Sequence, residues 1–360
     1  MTLDSLLEVM VQKGASDLYL LLGNPPIYRI ESETTFFDPM CLTVDMMRSF
    51  LDSLLNSTQL EKFNKEKELN LSYCLTNQER FRCNVYLQKG GVAMVFRHVL
   101  AKIPSREALG LPEMLYNIVM QKTGLVLVTG PTGSGKSTTM ASMIDYRIQK
   151  GSGHVVTIED PIEYDFQSKQ MIVSQRELDV DTYSYGAAMK SALRQAPDVL
   201  LVGELRDRES VEMAINFSET GHLVISTLHA TNATQTIQRL LQFFDEDEMA
   251  MICLRLSMNL KGIVSQRLLP KKDERGRVLA MELLYATPRI QALIRKQEFV
   301  DLKKAMRDVG DDKMVTLDKD LWRLYDQGLI TEEIALSHAD SVNNLRLRIK
   351  GFKAGSITTD

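Results

Sequence analysis

The chain has 360 residues, 44% of them hydrophobic, enough for two domains that each bury a core. Its formal net charge of −4 gives no global attraction to a polyanion, so nucleic acid is not an expected partner. No apolar run approaches the roughly 18 residues of a membrane span, the Met1-Thr2-Leu3-Asp4 start does not read as a signal peptide, and the four cysteines lack C-x-x-C spacing; the expectation is a cytoplasmic protein with reduced, buried thiols and no cysteine-bound metal.

Leu3, Leu6, Leu7 and Met10 share one helical face that stops at Gly14, and residues 17–22 read as a strand turning at Gly23-Asn24-Pro25-Pro26. Thr43 and Ser57 suit the N-caps of two further helices. A hairpin follows, residues 80–88 and 92–100 around Gly90-Gly91. Residues 1–100 thus read as a small α+β domain, and 101–112, with Pro104 and Gly110-Leu111-Pro112, as a connector that holds the hinge. From Gly124 on, strand-like runs at 125–129, 154–158, 198–202 and 222–228 alternate with helical stretches. That is the pattern of a parallel sheet covered on both faces, so residues 113–350 read as an α/β nucleotide-binding domain. An added hairpin, 262–267 and 278–284, and mostly helical sequence complete it, while residues 351–360 are expected to fray.

Within the second domain, Gly130-Pro131-Thr132-Gly133-Ser134-Gly135-Lys136-Ser137-Thr138 completes the pattern G-x-x-x-x-G-K-[ST]. It sits between an apolar strand and a helix in which Met140, Met143, Ile144 and Ile148 recur at helical spacing. The glycines let the backbone curl so that its N–H groups and the helix N-terminus meet phosphate. Lys136 then reaches the β- and γ-phosphates and Ser137 offers a hydroxyl to Mg²⁺, so ATP with Mg²⁺ is the expected ligand.

In such a sheet, ligands sit at the carboxyl ends of the strands, which directs attention to the polar residues that follow each run. Glu204 follows 198–202 and has the position of a base for the attacking water; a solvated loop acid is the plainer alternative. Glu159, Asp160 and Glu163 follow 154–158, where a carboxylate can hold Mg²⁺ through water or simply make a surface acidic turn. His229 ends the run 222–228, placed to report on the γ-phosphate. On the strand 80–88, Arg80, Arg82, Asn84 and Tyr86 alternate with Phe81, Cys83, Val85 and Leu87, so both arginines leave the apolar face.

Taken together, Gly14-Ala15-Ser16-Asp17-Leu18, the Arg80-Phe81-Arg82-x-Asn84 strand, Val95-Phe96-Arg97, the phosphate loop, Thr157 to Glu163, Gly203-Glu204 and Gly221 to His229 resemble the type IV pilus retraction ATPases, the PilT/PilU family, over nearly the whole chain. The resemblance implies a PAS-like first domain, a RecA-like second domain and a homohexameric ring under an inner-membrane platform protein. It also implies that Arg82 and Arg97 act as arginine fingers, with Arg206 and Arg239 as lesser interface candidates, and that Glu163 and His229 join Glu204 and Lys136 in catalysis. The segment Arg289-Ile290-Gln291-Ala292-Leu293-Ile294 stands where PilT members carry Ala-Ile-Arg-Asn-Leu-Ile, and Tyr19 stands where they usually carry His. With Arg194-Gln195-Ala196-Pro197-Asp198 and His338-Ala339-Asp340-Ser341, these differences resemble the PilU-like accessory branch, which implies a paralogous PilT motor as partner. Competing readings are a stand-alone retraction motor, a pilus assembly or type II secretion ATPase, whose usual four-cysteine element is missing here, a DNA translocase, and an ATP-binding coupler ring. Intact Lys136, Glu204 and His229 speak against the last.

Overall fold

The computed structural model describes residues 1–30, 33–76, 79–99, 103–273, 276–308 and 314–351. The end of the expected first hairpin at Leu100, the first two residues of the expected connector, the tip of the 270–276 turn and the expected tail beyond Gly351 lie outside the described residues. Two compact units emerge, Met1–Lys102 with the segments Pro161–Asp165 and Asp179–Asp181, and Ile103–Asp160 with Phe166–Leu178 and Thr182–Asp360.

The first unit runs α1 (Leu3–Gln12), β1 (Asp17–Leu21), β2 (Ile27–Ile30), β3 (Glu33–Thr35), α2 (Val44–Leu54), α3 (Ser57–Glu66), β4 (Glu68–Cys74), β5 (Arg80–Gln88) and β6 (Gly91–Val99). Its six strands form an antiparallel sheet in the order β3-β2-β1-β6-β5-β4. Leu3, Leu6, Leu7 and Met10 are the buried residues of α1, as their spacing requires. They join Leu18, Phe50, Phe81 and Phe96 in one core that covers one face of the sheet. Thr43 caps α2 by accepting from the Met46 N–H, but α3 is capped by Asn56 instead of Ser57. The reason is local: Asn56 accepts from the Gln59 N–H while the Gln59 side chain accepts from the Asn56 N–H, a reciprocal box that Ser57 cannot make from inside the first turn.

The second unit continues with α4 (Arg106–Leu109), α5 (Glu113–Val119), β7 (Gly124–Thr129), α6 (Lys136–Lys150), β8 (Gly153–Glu159), β9 (Met171–Glu177), α7 (Tyr185–Ala192), β10 (Val199–Val202), α8 (Arg208–Glu219), β11 (Leu223–Leu228), α9 (Ala233–Leu241) and α10 (Met249–Asn259). The antiparallel pair β12 (Leu260–Pro270) and β13 (Arg277–Tyr285) follows, then α11 (Pro288–Arg295), α12 (Leu302–Asp308), α13 (Leu317–Asp326), α14 (Glu332–Ser337) and α15 (Val342–Ile349). Seven strands make one sheet, β13-β12-β7-β11-β10-β8-β9, parallel except for β13. Every residue of β7, β10 and β11 is buried, the continuous apolar run that a strand covered on both faces demands. The expected added hairpin is therefore part of the main sheet, with β12 seated in parallel against β7.

Adjacent residues of β12 identify the two faces. The Ser265 hydroxyl meets Thr129, which is bonded to Thr236 of α9, whereas Gln266 points the other way and donates to Thr139 of α6. Helices α13 to α15 pack their own small core, including Leu317, Leu321, Ile330 and Leu345, against Leu269 and Ala280. All four cysteines are free; Cys83 and Cys253 are buried, but Cys41 and Cys74 are exposed, contrary to the expected burial, because Cys41 lies in the connection between β3 and α2 and Cys74 is the last residue of β4. Among the described residues no helix is long and apolar enough to cross a membrane.

Candidate active site

The phosphate loop links buried β7 to α6 in one tight curl. Gly130, Gly133 and Gly135 have φ of 146°, 77° and 87°, values that an L side chain resists. Gly130 is further constrained by space, since a Cβ there would stand 2.5 Å from the Gln266 carbonyl oxygen. Gly135 is the N-cap of helix α6 and supplies no side-chain cap, so the N–H groups of the helix's first turn remain for a ligand. Lys136 Nζ donates to the carbonyls of Gly130 at 2.9 Å and Pro131 at 3.2 Å, folding the loop's cation back over its own backbone. Uncapped N–H groups, left-handed glycines and a lysine at the mouth fit a nucleotide phosphate.

Strand register brings the other candidates to the same edge of the sheet. Thr129 at the end of β7 is paired with Leu228 of β11, so the loop and His229 leave adjacent strands together. Val202 of β10 is paired with Ser226 of β11 and with Ile158 of β8, which places Glu204 and Glu159 on the next two strands at the same end. There Glu204 and His229 meet, with His229 Nε2 3.3 Å from Glu204 Oε1. Arg206 Nε donates to Glu204 Oε2 at 2.9 Å while its Nη1 donates to Asp160 Oδ2 at 3.0 Å. One guanidinium thus spaces two carboxylates, and its own pKa is raised chiefly by the Glu204 hydrogen bond.

The carboxylate of Glu159 accepts from Thr157 Oγ1 at 2.7 Å and Gln175 Nε2 at 3.1 Å, so it is oriented by its own and the neighbouring strand. The Tyr185 hydroxyl is pushed well above the usual tyrosine range, first by burial and then by Asp160, with further contributions from Glu204 and Glu159; its ring lies under Arg206. Among the described residues no group of three or more His, Cys, Asp or Glu could hold a metal alone. The Ser137 hydroxyl and the Glu159 and Asp160 carboxylates are oxygen donors of the kind Mg²⁺ accepts alongside phosphate and water.

Arg82 and Arg97 belong to the first unit, where they are directly opposed on β5 and β6. The same row continues through Asp17, paired with Arg97, to Arg29. Arg97 Nε donates to the buried Asp17 carboxylate at 2.8 Å, and Arg29 approaches that carboxylate to 3.9 Å. Two arginines thus share the Asp17 carboxylate, and Arg82, directly opposite Arg97, adds a like charge beside them, an unfavourable pairing on a sheet. Glu163 is exposed on the 161–165 segment, which groups with the first unit. Arg239 donates to Gln242 on its own helix. Residue patterns alone did not point to Gln266, Thr139 or Tyr185. The sequence carried little signal for Gln266, because Ser265 and Arg267 flank it in β12 and make it read as one polar residue among several.

Residues 103–320 match the Type II/IV secretion system protein family. Over 350 residues the chain is 43% identical to the type IV pilus ATPase PilU of Pseudomonas aeruginosa, covering 97% of this chain and 92% of that one. It is 40% identical over 344 residues to the type IV pilus retraction ATPase PilT of the same organism, covering 96% and 100%. Among solved structures, the pilus retraction motor PilT with bound ADP superposes with a TM-score of 0.91 at 41% identity, covering 96% of this chain and 99% of that one. These likenesses bear out the expected ATPase and its RecA-like nucleotide-binding fold. With its phosphate loop, Glu204 and His229 at one sheet edge, the chain belongs to the type II/IV secretion ATPase family, in the branch that holds the pilus ATPases PilT and PilU.

Proposed function

We propose that the protein is a homohexameric, Mg²⁺-dependent ATPase motor that powers type IV pilus retraction, as the PilU-like accessory of a paralogous PilT motor. The observation that carries the enzymatic part is the meeting of Glu204 with His229 and Arg206 beside the phosphate loop. ATP lies with its phosphates on residues 130–138, and Lys136 exchanges the Gly130 and Pro131 carbonyls for phosphate oxygens. Glu204 takes the proton of the attacking water, while His229 and Arg206 fix the carboxylate from either side. Ser137 and, through water, Glu159 or Asp160 would hold Mg²⁺, which would supply charge neutralisation at the phosphates. Arg82 and Arg97 act as arginine fingers, and Glu163 is the reserve base. Residues 1–100 and 113–350 serve as the two moving domains, with the hinge at 101–112.

The accessory role is supported by the departures at Tyr19 and residues 289–294 together with the PilU likeness. The ring docks on the inner-membrane pilus platform from the cytoplasmic side. Deleting the gene in its source organism, with the PilT paralogue present or absent, tests this. Weakened retraction in the first background and no residual retraction to lose in the second is expected. Retraction driven by this chain alone would make it a stand-alone motor, and no effect in either background would remove it from retraction.

A further inference from the structure

Two buried polar atoms beside the phosphate loop have no hydrogen-bond partner among the described residues, Ser134 Oγ and Gln266 Oε1. Both side chains are enclosed, Ser134 at 3% exposure and Gln266 at 1%. An unpaired polar atom in the interior forfeits its water without recompense, and a pair of them beside the phosphate loop calls for a state in which they are satisfied. The two residues meet at Gly130, where a Cβ would lie 2.5 Å from Ser134 Oγ and 2.5 Å from the Gln266 backbone oxygen. Gln266 follows the Ser265 and Thr129 register pair on β12, and its Nε2 already donates to Thr139 Oγ1 of α6 at 2.7 Å. Its backbone therefore faces the loop, its amide nitrogen holds the helix, and its amide oxygen is left over. In this conformation the loop is closed on itself through Lys136.

We propose that Gln266 is a positioning residue for nucleotide binding. When phosphate draws Lys136 off the loop carbonyls, the loop shifts, the Ser134 hydroxyl donates to Gln266 Oε1, and this bond locks the loop in its phosphate-holding form. The inference rests on the reading of residues 130–138 as a nucleotide site.

The test uses the purified full chain, with Mg-ADP affinity and thermal melting of the nucleotide-free protein measured in parallel. Ser134→Ala should leave melting unchanged or raise it, since it removes an unpaired buried hydroxyl, yet weaken ADP binding about three- to tenfold, the worth of one hydrogen bond. A purely structural serine cannot give these opposite signs. Gln266→Met, of similar length without polar atoms, should weaken ADP binding to a similar degree, and adding Ser134→Ala to it should change affinity less than about twofold. Wild-type ADP affinity in Ser134→Ala, or additive losses in the double variant, overturns the proposal. So does lowered melting of nucleotide-free Ser134→Ala, which would mean that the hydroxyl is already satisfied by a trapped water. If Gln266→Met does not fold, the Ser134→Ala pair of measurements decides alone. Lys136→Ala distinguishes the two levels of argument: wild-type ADP affinity in that variant sinks the nucleotide site itself, whereas its loss alongside an inert Ser134→Ala sinks only the latch.

Discussion

Replacing Glu204 by Gln separates the base from the scaffold around it. The carboxylate is 22% exposed and its oxygens have distinct neighbours, Arg206 Nε at 2.9 Å on one and His229 Nε2 at 3.3 Å on the other. Glutamine keeps one oxygen for Arg206 and the shape of the side chain, but it cannot accept the water's proton. The Arg206 side chain is 51% exposed, so losing its charged partner is worth no more than about 1 kcal/mol. Melting should therefore fall by only about 2–4 °C. Loss of a general base is a larger effect, about 10²- to 10⁴-fold in rate, or roughly 2.7–5.5 kcal/mol on the barrier. ATP affinity should stay within about threefold of wild type, since the carboxylate is set to hold water and not phosphate. Steady-state phosphate release, a nucleotide titration and a melting curve on the same preparation give all three quantities. Turnover within about tenfold of wild type would refute the assignment and move the base to Glu163.

Lys136→Ala should weaken fluorescent-ATP binding by at least about tenfold with unchanged circular dichroism, because it deletes a charge at the loop mouth and no core packing; intact affinity would exclude residues 130–138 as the site. Arg82→Lys and Arg97→Lys should each cut phosphate release by at least about tenfold with little change in ATP affinity, as lysine lacks the planar fork, while Arg80→Lys should be nearly silent; equal behaviour of all three would end the finger assignment. Burial holds the Glu282 carboxyl above its ordinary value of 4.5, so the folded protein keeps this proton more tightly than the unfolded chain and the group's contribution to stability declines as pH rises from about 4.5 through the folded value. Glu282→Gln, which can still accept from the Ala233 N–H, should flatten that decline, and a melting-temperature profile parallel to wild type would contradict it.

What the sequence disclosed was local. The phosphate loop is contiguous, the face of α1 repeats within three turns, and β7 announces itself by an unbroken apolar run, so each can be read without knowing what lies beside it. Partners were harder. Periodicity marks 262–284 as a hairpin but cannot say that β12 lies against β7, and that pairing is what carries Gln266 to the loop. Arg206 bridges Glu204 to Asp160 across 46 positions of sequence, and Arg97 finds Asp17 across 80, distances over which no pattern survives. Strand β9 escaped notice because Ser174, Gln175 and Arg176 break its apolar alternation at an edge of the sheet.

The resting position of Lys136 bears on how such a site can both grip and release. Its ammonium already has two acceptors in the loop, the carbonyls of Gly130 and Pro131, so nucleotide does not meet a bare cation. Binding exchanges hydrogen bonds to neutral oxygens for bonds to ionised ones, roughly twice as strong, and the net gain is the difference between them. The same carbonyls wait when the phosphate leaves, so the lysine is not stranded as product departs. A loop rigidly open would bind more tightly and let go more slowly, and in many enzymes release limits the cycle. For an ATPase that must release its product every cycle, a lysine with a place to return to trades affinity for release. The Gln266 and Ser134 pair would set that balance from the opposite side of the loop, by adding one bond to the occupied state that the empty state lacks.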